Sequence, residues 1–238
     1  VCGDLTSAFD FSQTSRNQNK SFPPPAPIKS LHQPYSVPKV QTMPVQEKGT
    51  RPARPLPYWV ETACQVDNDR VTLSLMNKGK AGAAFYIYNR AEPQREPRRY
   101  TVSAGDTLAD FWMPAPSGGF DLAMYGPNGC MAHHKGTVSA EEPAVELRQD
   151  PEKNLVRITV RNRSQNSNSF AIGESYTKLR VQRSVPAGEE IAIEIPLALS
   201  SGWFDVSVEA AKADPFLRRF AGHIEDGKPS ISDPALSS

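Results

Sequence analysis

The sequence lacks any apolar run approaching the roughly 20 residues that carry a helix across a bilayer, so none of it reads as a membrane span. Excess charge of either sign is also missing. Lys plus Arg total 27 against 26 for Asp plus Glu, and a net +1 sets up no field of the kind that draws nucleic acid. Nucleic acid is therefore not expected as a partner. Cysteine is scarce: Cys2, Cys64 and Cys130 stand far apart with no C-x-x-C pair, which excludes the usual zinc spacing and allows at most one internal disulfide. A G-x-S-x-G turn is absent too, although a spatial triad needs no such motif. Val1-Cys2-Gly3-Asp4 has neither the basic nor the hydrophobic region of a signal peptide, and a chain opening at Val reads as a fragment.

What is abundant points to strands. The 238 residues are 38% apolar, enough for a core, while 22 prolines and 15 glycines argue against long helices. Residues 1–22 are polar and too short in periodicity to make a core, and read as the tail of another domain. Ten prolines fall between Pro23 and Pro57, including Pro23-Pro24-Pro25 and Arg51-Pro52-Ala53-Arg54-Pro55-Leu56-Pro57. That composition removes amide donors and favours extended polyproline II, as in a linker or a strap across a domain surface. A proline-rich recognition ligand is the functional alternative.

Beyond residue 58 the chain repeats itself with a period of about 84 residues. Val71-Thr72-Leu73-Ser74-Leu75-Met76-Asn77 matches Val156-Arg157-Ile158-Thr159-Val160-Arg161-Asn162, apolar at alternate positions with an Asn before a turn. Phe85 and Ile87 match Phe170 and Ile172, and the turn Ala104-Gly105-Asp106 matches Ala187-Gly188-Glu189. Leu108, Phe111 and Trp112 stand against Ile191, Ile193 and Ile195, each stretch closing on a proline, Pro114 or Pro196. Ser117-Gly118-Gly119-Phe120-Asp121-Leu122 aligns without a gap on Ser201-Gly202-Trp203-Phe204-Asp205-Val206, and Cys130 through Gly136 on Phe216 through Gly222. The expected fold is all-β: two tandem antiparallel, immunoglobulin-like β-sandwich modules over 58–140 and 141–228, behind a linker at 23–57 and before a tail at 229–238.

Side chains that might carry chemistry all have a plainer reading. His133 and His134 adjoin on a strand, so they point to opposite faces and cannot chelate one ion, and their repeat mates are Arg219 and Phe220. His32 and His223 have no ligand-forming neighbours and read as surface residues. Asp121 and Asp205 are matched acids; paired carboxylates suggest glycosidase or calcium chemistry, but a turn-capping role repeated in each unit explains both. Cys64 and Cys130 read as small core hydrophobes, with a disulfide between them as the minority alternative. Trp59, Trp112 and Trp203 suit either a lipid interface or the core, and their place in strand blocks favours the core for the last two. The pairs Arg98-Arg99 and Arg218-Arg219 read as solvated faces. Neither catalytic, cofactor-binding nor metal-ligating residues are assigned.

Gly202-Trp203-Phe204-Asp205-Val206-Ser207-Val208, followed by Phe216-Leu217-Arg218-Arg219-Phe220-Ala221-Gly222-His223, resembles the carboxyl-terminal modules of bacterial phospholipase C, and the first unit is similar to a more divergent copy. Val1 through Phe11 resembles the end of that family's phosphoesterase domain, and Gln41-Thr42-Met43-Pro44 with Gly49-Thr50-Arg51-Pro52-Ala53-Arg54 resembles its linker. The resemblance implies a parent enzyme that is metal-dependent, related to acid phosphatases, and cleaves phosphatidylcholine or sphingomyelin to phosphocholine and a lipid. It also implies secretion or a periplasmic location by twin-arginine export. The family's nucleophile and metal ligands lie upstream, so this chain is expected to be inactive alone and to hold no cofactor. Its expected partners are the missing amino-terminal catalytic domain and a phospholipid surface. Support of that domain, or shaping of substrate access, is the leading reading; a module binding lipid, carbohydrate or a host surface is the second, and an independent enzyme the third.

Overall fold

The computed structural model describes residues 48–67, 69–210 and 215–237. The expected phosphoesterase tail over 1–22, most of the linker, and both Cys2 and His32 lie outside them.

Alternating apolar residues dictate strands. The short β1 (Pro52–Ala53) precedes seven strands of the first repeat: β2 (Val60–Val66), β3 (Val71–Asn77), β4 (Ala83–Asn89), β5 (Arg98–Val102), β6 (Thr107–Trp112), β7 (Gly119–Tyr125) and β8 (Met131–Thr137). Seven more make the second: β9 (Ala144–Asp150), β10 (Leu155–Arg161), β11 (Asn168–Glu174), β12 (Leu179–Val185), β13 (Glu190–Pro196), β14 (Trp203–Ala210) and β15 (Leu217–His223), and β16 (Ser230–Ile231) ends the series. Within each repeat a three-stranded sheet faces a four-stranded one: β2-β3-β6 over β5-β4-β7-β8, and β9-β10-β13 over β12-β11-β14-β15. The fourth strand of each unit pairs with the third and not with the fifth, so it belongs to the larger sheet of its immunoglobulin-like sandwich.

Matched residues play matched parts. Gly105 and Gly188 turn the chain at φ 75° and 72°, and Gly118 and Gly202 at 81° and 88°, a region that costs a residue with a Cβ. Asn77 and Asn162 are buried, and each side-chain amide ties the loop after its own strand to the end of the strand two further on. Asn77 Nδ2 donates to Ala81 O at 2.8 Å and Val102 O at 3.0 Å. Asn162 Nδ2 donates to Asn166 O at 2.7 Å and Val185 O at 2.9 Å. One repeat pairing differs from the sequence reading. The inward position matching Ile193 is filled by Asp110, not Phe111, which is half exposed. Asp110 is tolerated there because Tyr100 Oη donates to it at 2.6 Å and Arg98 Nη1 at 2.8 Å.

The repeats, read from sequence as two modules, are fused in the structure. β15 pairs antiparallel with β8, which joins the two larger sheets into one of eight strands in the order β12-β11-β14-β15-β8-β7-β4-β5. Arg219 lies opposite its own repeat mate His133, while Leu217 faces Lys135 and Ala221 faces Met131. A local pseudo-twofold axis therefore passes between β8 and β15, the geometry of an isologous dimer interface within one chain. In the other layer β2 and β9 are bridged by side chains: the Gln149 amide donates to Glu61 Oε1 at 3.1 Å and Gln149 Nε2 to Val60 O at 2.7 Å. One continuous core follows, running from Val71, Leu75 and Phe85 to Ile158, Phe170 and Val206. Each such side chain contributes about 1.5–3 kcal/mol on burial.

Arg218, expected on a solvated face, is instead among the most deeply buried side chains, at 1% exposure. It points inward from β15 because its strand neighbours Leu217 and Arg219 face out. Its guanidinium donates to Glu142 Oε1 at 2.9 Å and to Lys135 O at 2.8 Å, and lies 4.5 Å from the Phe216 ring centre. Removing one member of such a buried pair costs about 3–5 kcal/mol. Arg218→Ala should therefore lower unfolding stability by that order in urea, and the wild type should unfold in a single transition with fluorescence and circular dichroism coincident. Two separated transitions, or a cost below ~1 kcal/mol, would contradict the fused core.

The strap and the tail meet. β1 pairs with β16, and Leu56 N donates to Glu225 Oε2 at 2.9 Å. Tyr176 Oη donates to Asp233 Oδ1 at 2.8 Å, fastening the chain beyond β16 to the second repeat.

Candidate functional site

The outer face of the eight-stranded sheet holds the matched acids. His133 Nε2 and Asp121 Oδ1 are 2.6 Å apart, a diagonal pair between β8 and β7. In the second repeat Arg219 Nε and Nη2 donate to Asp205 at 2.7 and 2.6 Å across β15 and β14. The same diagonal thus carries a His–Asp pair in one copy and an Arg–Asp pair in the other. An arginine cannot act as a general base, so the shared role is cross-strand fastening.

His134 points the other way, into the junction core, 1% exposed, with its ring edge-on to Phe220 at 5.5 Å. Neither ring nitrogen meets a hydrogen-bonding atom among the described residues. Burial, with the nearby Arg218 and His133, holds its pKa well below the usual imidazole value, so the ring is neutral. Its repeat mate is Phe220, which supplies a built-in test of what the site prefers. An unfolded histidine binds a proton below about pH 6.5 while this one resists, so stability falls as pH drops from there toward the folded pKa. His134→Phe should remove that part of the acid slope and leave stability at neutral pH unchanged or higher, read from urea midpoints between about pH 7 and pH 5. An unaltered slope would show that His134 is not the group responsible.

His223 was expected at the surface and is buried, because β15 runs on through it beneath the β16 strand. Its ring touches Glu225 Oε1 through Nδ1 at 3.0 Å, and through Nε2 both Ser201 O and Ser230 Oγ at 3.0 Å. Serine, histidine and carboxylate in this order have the outline of a catalytic triad. The hydroxyl is engaged elsewhere: Ser230 Oγ donates to Ser201 O at 3.1 Å, a backbone carbonyl that also lies 3.0 Å from Nε2. The cluster pins the tail strand, and Asn128 Nδ2 and the Leu56 amide complete the shell of Glu225. Burial pushes the Glu225 carboxyl up, and the hydrogen bonds from His223 and the Leu56 amide more than offset that, holding it below its ordinary value.

Glu61 is the buried acid of the other layer. Lys78 Nζ reaches Oε2 at 2.6 Å and Arg148 Nη1 at 2.7 Å, so both repeats contribute to its shell. Burial raises its pKa, and these two hydrogen bonds with the Gln149 amide bring it below the usual carboxylate range. Among the described residues no three His, Cys, Asp or Glu side chains gather as a metal site requires.

Cys64 and Cys130 are free thiols packed against the core, not a disulfide. Burial pushes Cys64 up to about 11 and Cys130 up to about 12. Both should resist iodoacetamide in the native protein at pH 8 and react on denaturation, counted by mass; native modification of either would contradict their burial. Trp112 and Trp203 are buried, the latter donating to Ile231 O at 3.0 Å, and Trp59 is half-buried under Lys78. The indoles therefore pack, and the open aromatic surface belongs to tyrosines that the sequence reading did not single out: a concavity of about 500 Å³ lined by Tyr86, Tyr88, Arg90, Ala123 and Tyr125. Alternation along β4 and β7, set against the second repeat, was the signal available for it.

A family model described as the C-terminal domain of bacterial phospholipase C matches this chain twice, over residues 52–137 and 143–223. The chain belongs to that family. Each match covers one seven-stranded repeat of this phospholipase C C-terminal region. The chain is 34% identical over 253 residues to a non-hemolytic phospholipase C of Pseudomonas aeruginosa, covering 99% of this chain and 37% of the relative. It is 35% identical over 257 residues to a non-hemolytic phospholipase C of Burkholderia pseudomallei, covering 100% and 36%. A hemolytic phospholipase C of Pseudomonas aeruginosa is 29% identical over 287 residues, covering 99% and 38%. The chain thus spans 36–38% of the length of these curated relatives.

Proposed function

We propose that this chain is the accessory, non-catalytic region of a secreted phospholipase C, which steadies a catalytic domain supplied by the rest of the parent protein. The observation that carries this reading is the pair of family matches, one on each repeat, in a chain that spans only 36–38% of its relatives' length. The fate of the ionisable side chains supports it. Glu61, Glu142, Arg218, Asp205 and His223 are committed to bonds that hold strands, loops and tail together. Ser230 Oγ, beside His223, donates to the backbone carbonyl of Ser201. In this reading the reaction, release of phosphocholine from phosphatidylcholine or sphingomyelin, and any metal it needs, belong to the catalytic domain. In the same reading, export places both in the same compartment.

The chain alone, mixed with p-nitrophenylphosphorylcholine or phosphatidylcholine and divalent metal, should release no product above the blank. Turnover that depends on Ser230 or His133 would overturn the reading. A second reading, recognition of a lipid surface by the modules themselves, is favoured by one observation, the tyrosine-lined concavity on the outer sheet face.

A further inference from the structure

The outward positions of β4 and β7 in the first repeat include Tyr86, Tyr88, Ala123 and Tyr125, with Asp121 farther along β7. Tyr86 lies opposite Tyr125 and Tyr88 opposite Ala123, so the small side chain makes a floor between three rings. Although Ala123 faces outward, it is only 2% exposed, because the rings stand over it. Tyr88 and Tyr125 are themselves 42% and 47% exposed and meet edge to face, with centroids 5.8 Å apart. Arg90 lies on the rim, with its Nε 4.0 Å from Asp121, whose carboxylate is already held by His133.

The second repeat shows what the fold requires at these places. The repeat mates of Tyr86, Tyr88, Arg90, Ala123 and Tyr125 are Ala171, Gly173, Ser175, Ser207 and Glu209. Strand β11 pairs with β14 as β4 does with β7. The sandwich forms there without an aromatic ring at these five positions, so the rings of the first copy are surplus to folding.

Tyr86 has the Arg99 guanidinium 5.9 Å over its ring, and with Tyr88 and Tyr125 it makes an electron-rich cluster around a small floor that attracts a cation, most of all a quaternary ammonium, which has no hydrogen bonds to water to forfeit. The lining holds no carboxylate, however, and Arg90 repels a bare cation at the rim. A ligand that satisfies both features carries its own anion beside the ammonium. We propose that this concavity binds the phosphocholine headgroup of a choline lipid, with the trimethylammonium group among Tyr86, Tyr88 and Tyr125 and the phosphodiester at Arg90. The occupant is a headgroup at a bilayer surface, because the cup opens on the broad outer face of an eight-stranded sheet that can lie against a headgroup layer. This goes beyond the accessory role and does not depend on it: the headgroup is held and not cleaved, so the hydrolysis assay and the binding assay can fail separately.

The test is flotation of the full 238-residue chain with vesicles of phosphatidylcholine or of phosphatidylglycerol. The chain should float with phosphatidylcholine, and soluble phosphocholine should compete it off while choline chloride and inorganic phosphate at equal concentration do not. Replacing rings by their repeat mates, Tyr86→Ala with Tyr125→Glu, should weaken vesicle binding about tenfold, with Tyr88→Phe, which keeps its ring, close to wild type. Should the double variant unfold, Arg90→Ser on the exposed rim decides: it should erase the preference for phosphocholine over choline. No flotation, equal flotation on phosphatidylglycerol, or binding indifferent to both the rings and Arg90 overturns the proposal.

Discussion

The pairing of β8 with β15 is the contact on which the rest of this molecule depends. A strand at the end of a sheet leaves a row of amides and carbonyls open, and a small sandwich has one at each margin. Here the last strand of each copy closes the other, which removes two such edges and doubles the span of the core. A seven-stranded unit alone buries only about 60–65% of its unfolded surface. Joined, the two units share buried side chains at the seam, and polar groups too large for a small core become tolerable there. Arg218 of β15 finds Lys135 O of β8 and Glu142 of the connection between repeats, and Glu61 of β2 finds Arg148 of β9. The bonds to Lys135 O and to Arg148 run between copies, so neither exists in a single repeat.

Duplication explains why so much of this was readable in the chain. Alternation predicts strands, and two aligned copies fix which residues turn, cap and face inward; Asn77 with Asn162 and Gly105 with Gly188 do the same work twice. What the alignment could not supply is how the copies meet. Arg218 and His223 were misread as surface residues because their burial comes from the seam and from the β16 strand, and neither is visible in a pattern local to β15. The pairing of Phe111 with Ile193 breaks the alternation of β6, where the period of two matches Asp110 to Ile193.

The differences between copies are as informative as the likenesses. Where one copy has Phe220 the other has His134, a buried ring without hydrogen-bond partners that neutral charge makes bearable. Where one has Arg219 the other has His133, and the bond to the matched Asp survives. Tyr86, Tyr88 and Tyr125 have no aromatic counterpart at all. The exchange of Arg219 for His133 keeps the bond to the matched Asp, whereas three rings gathered over one alanine, two of them exposed, have no counterpart in the scaffold of the second copy. The tyrosine cluster thus differs from the side chains that hold strands together, and it lies on the outer face of the shared sheet.

Amide hydrogen exchange along β8 tests the fused sandwich most directly. If β8 is an interior strand, the amides of Ala132 to Lys135 exchange only with global unfolding, as slowly as those of β7 and β14. Exchange at the rate of the margin strands β5 and β12 would show that the two copies do not share a sheet in solution, and the account built on their junction would be wrong.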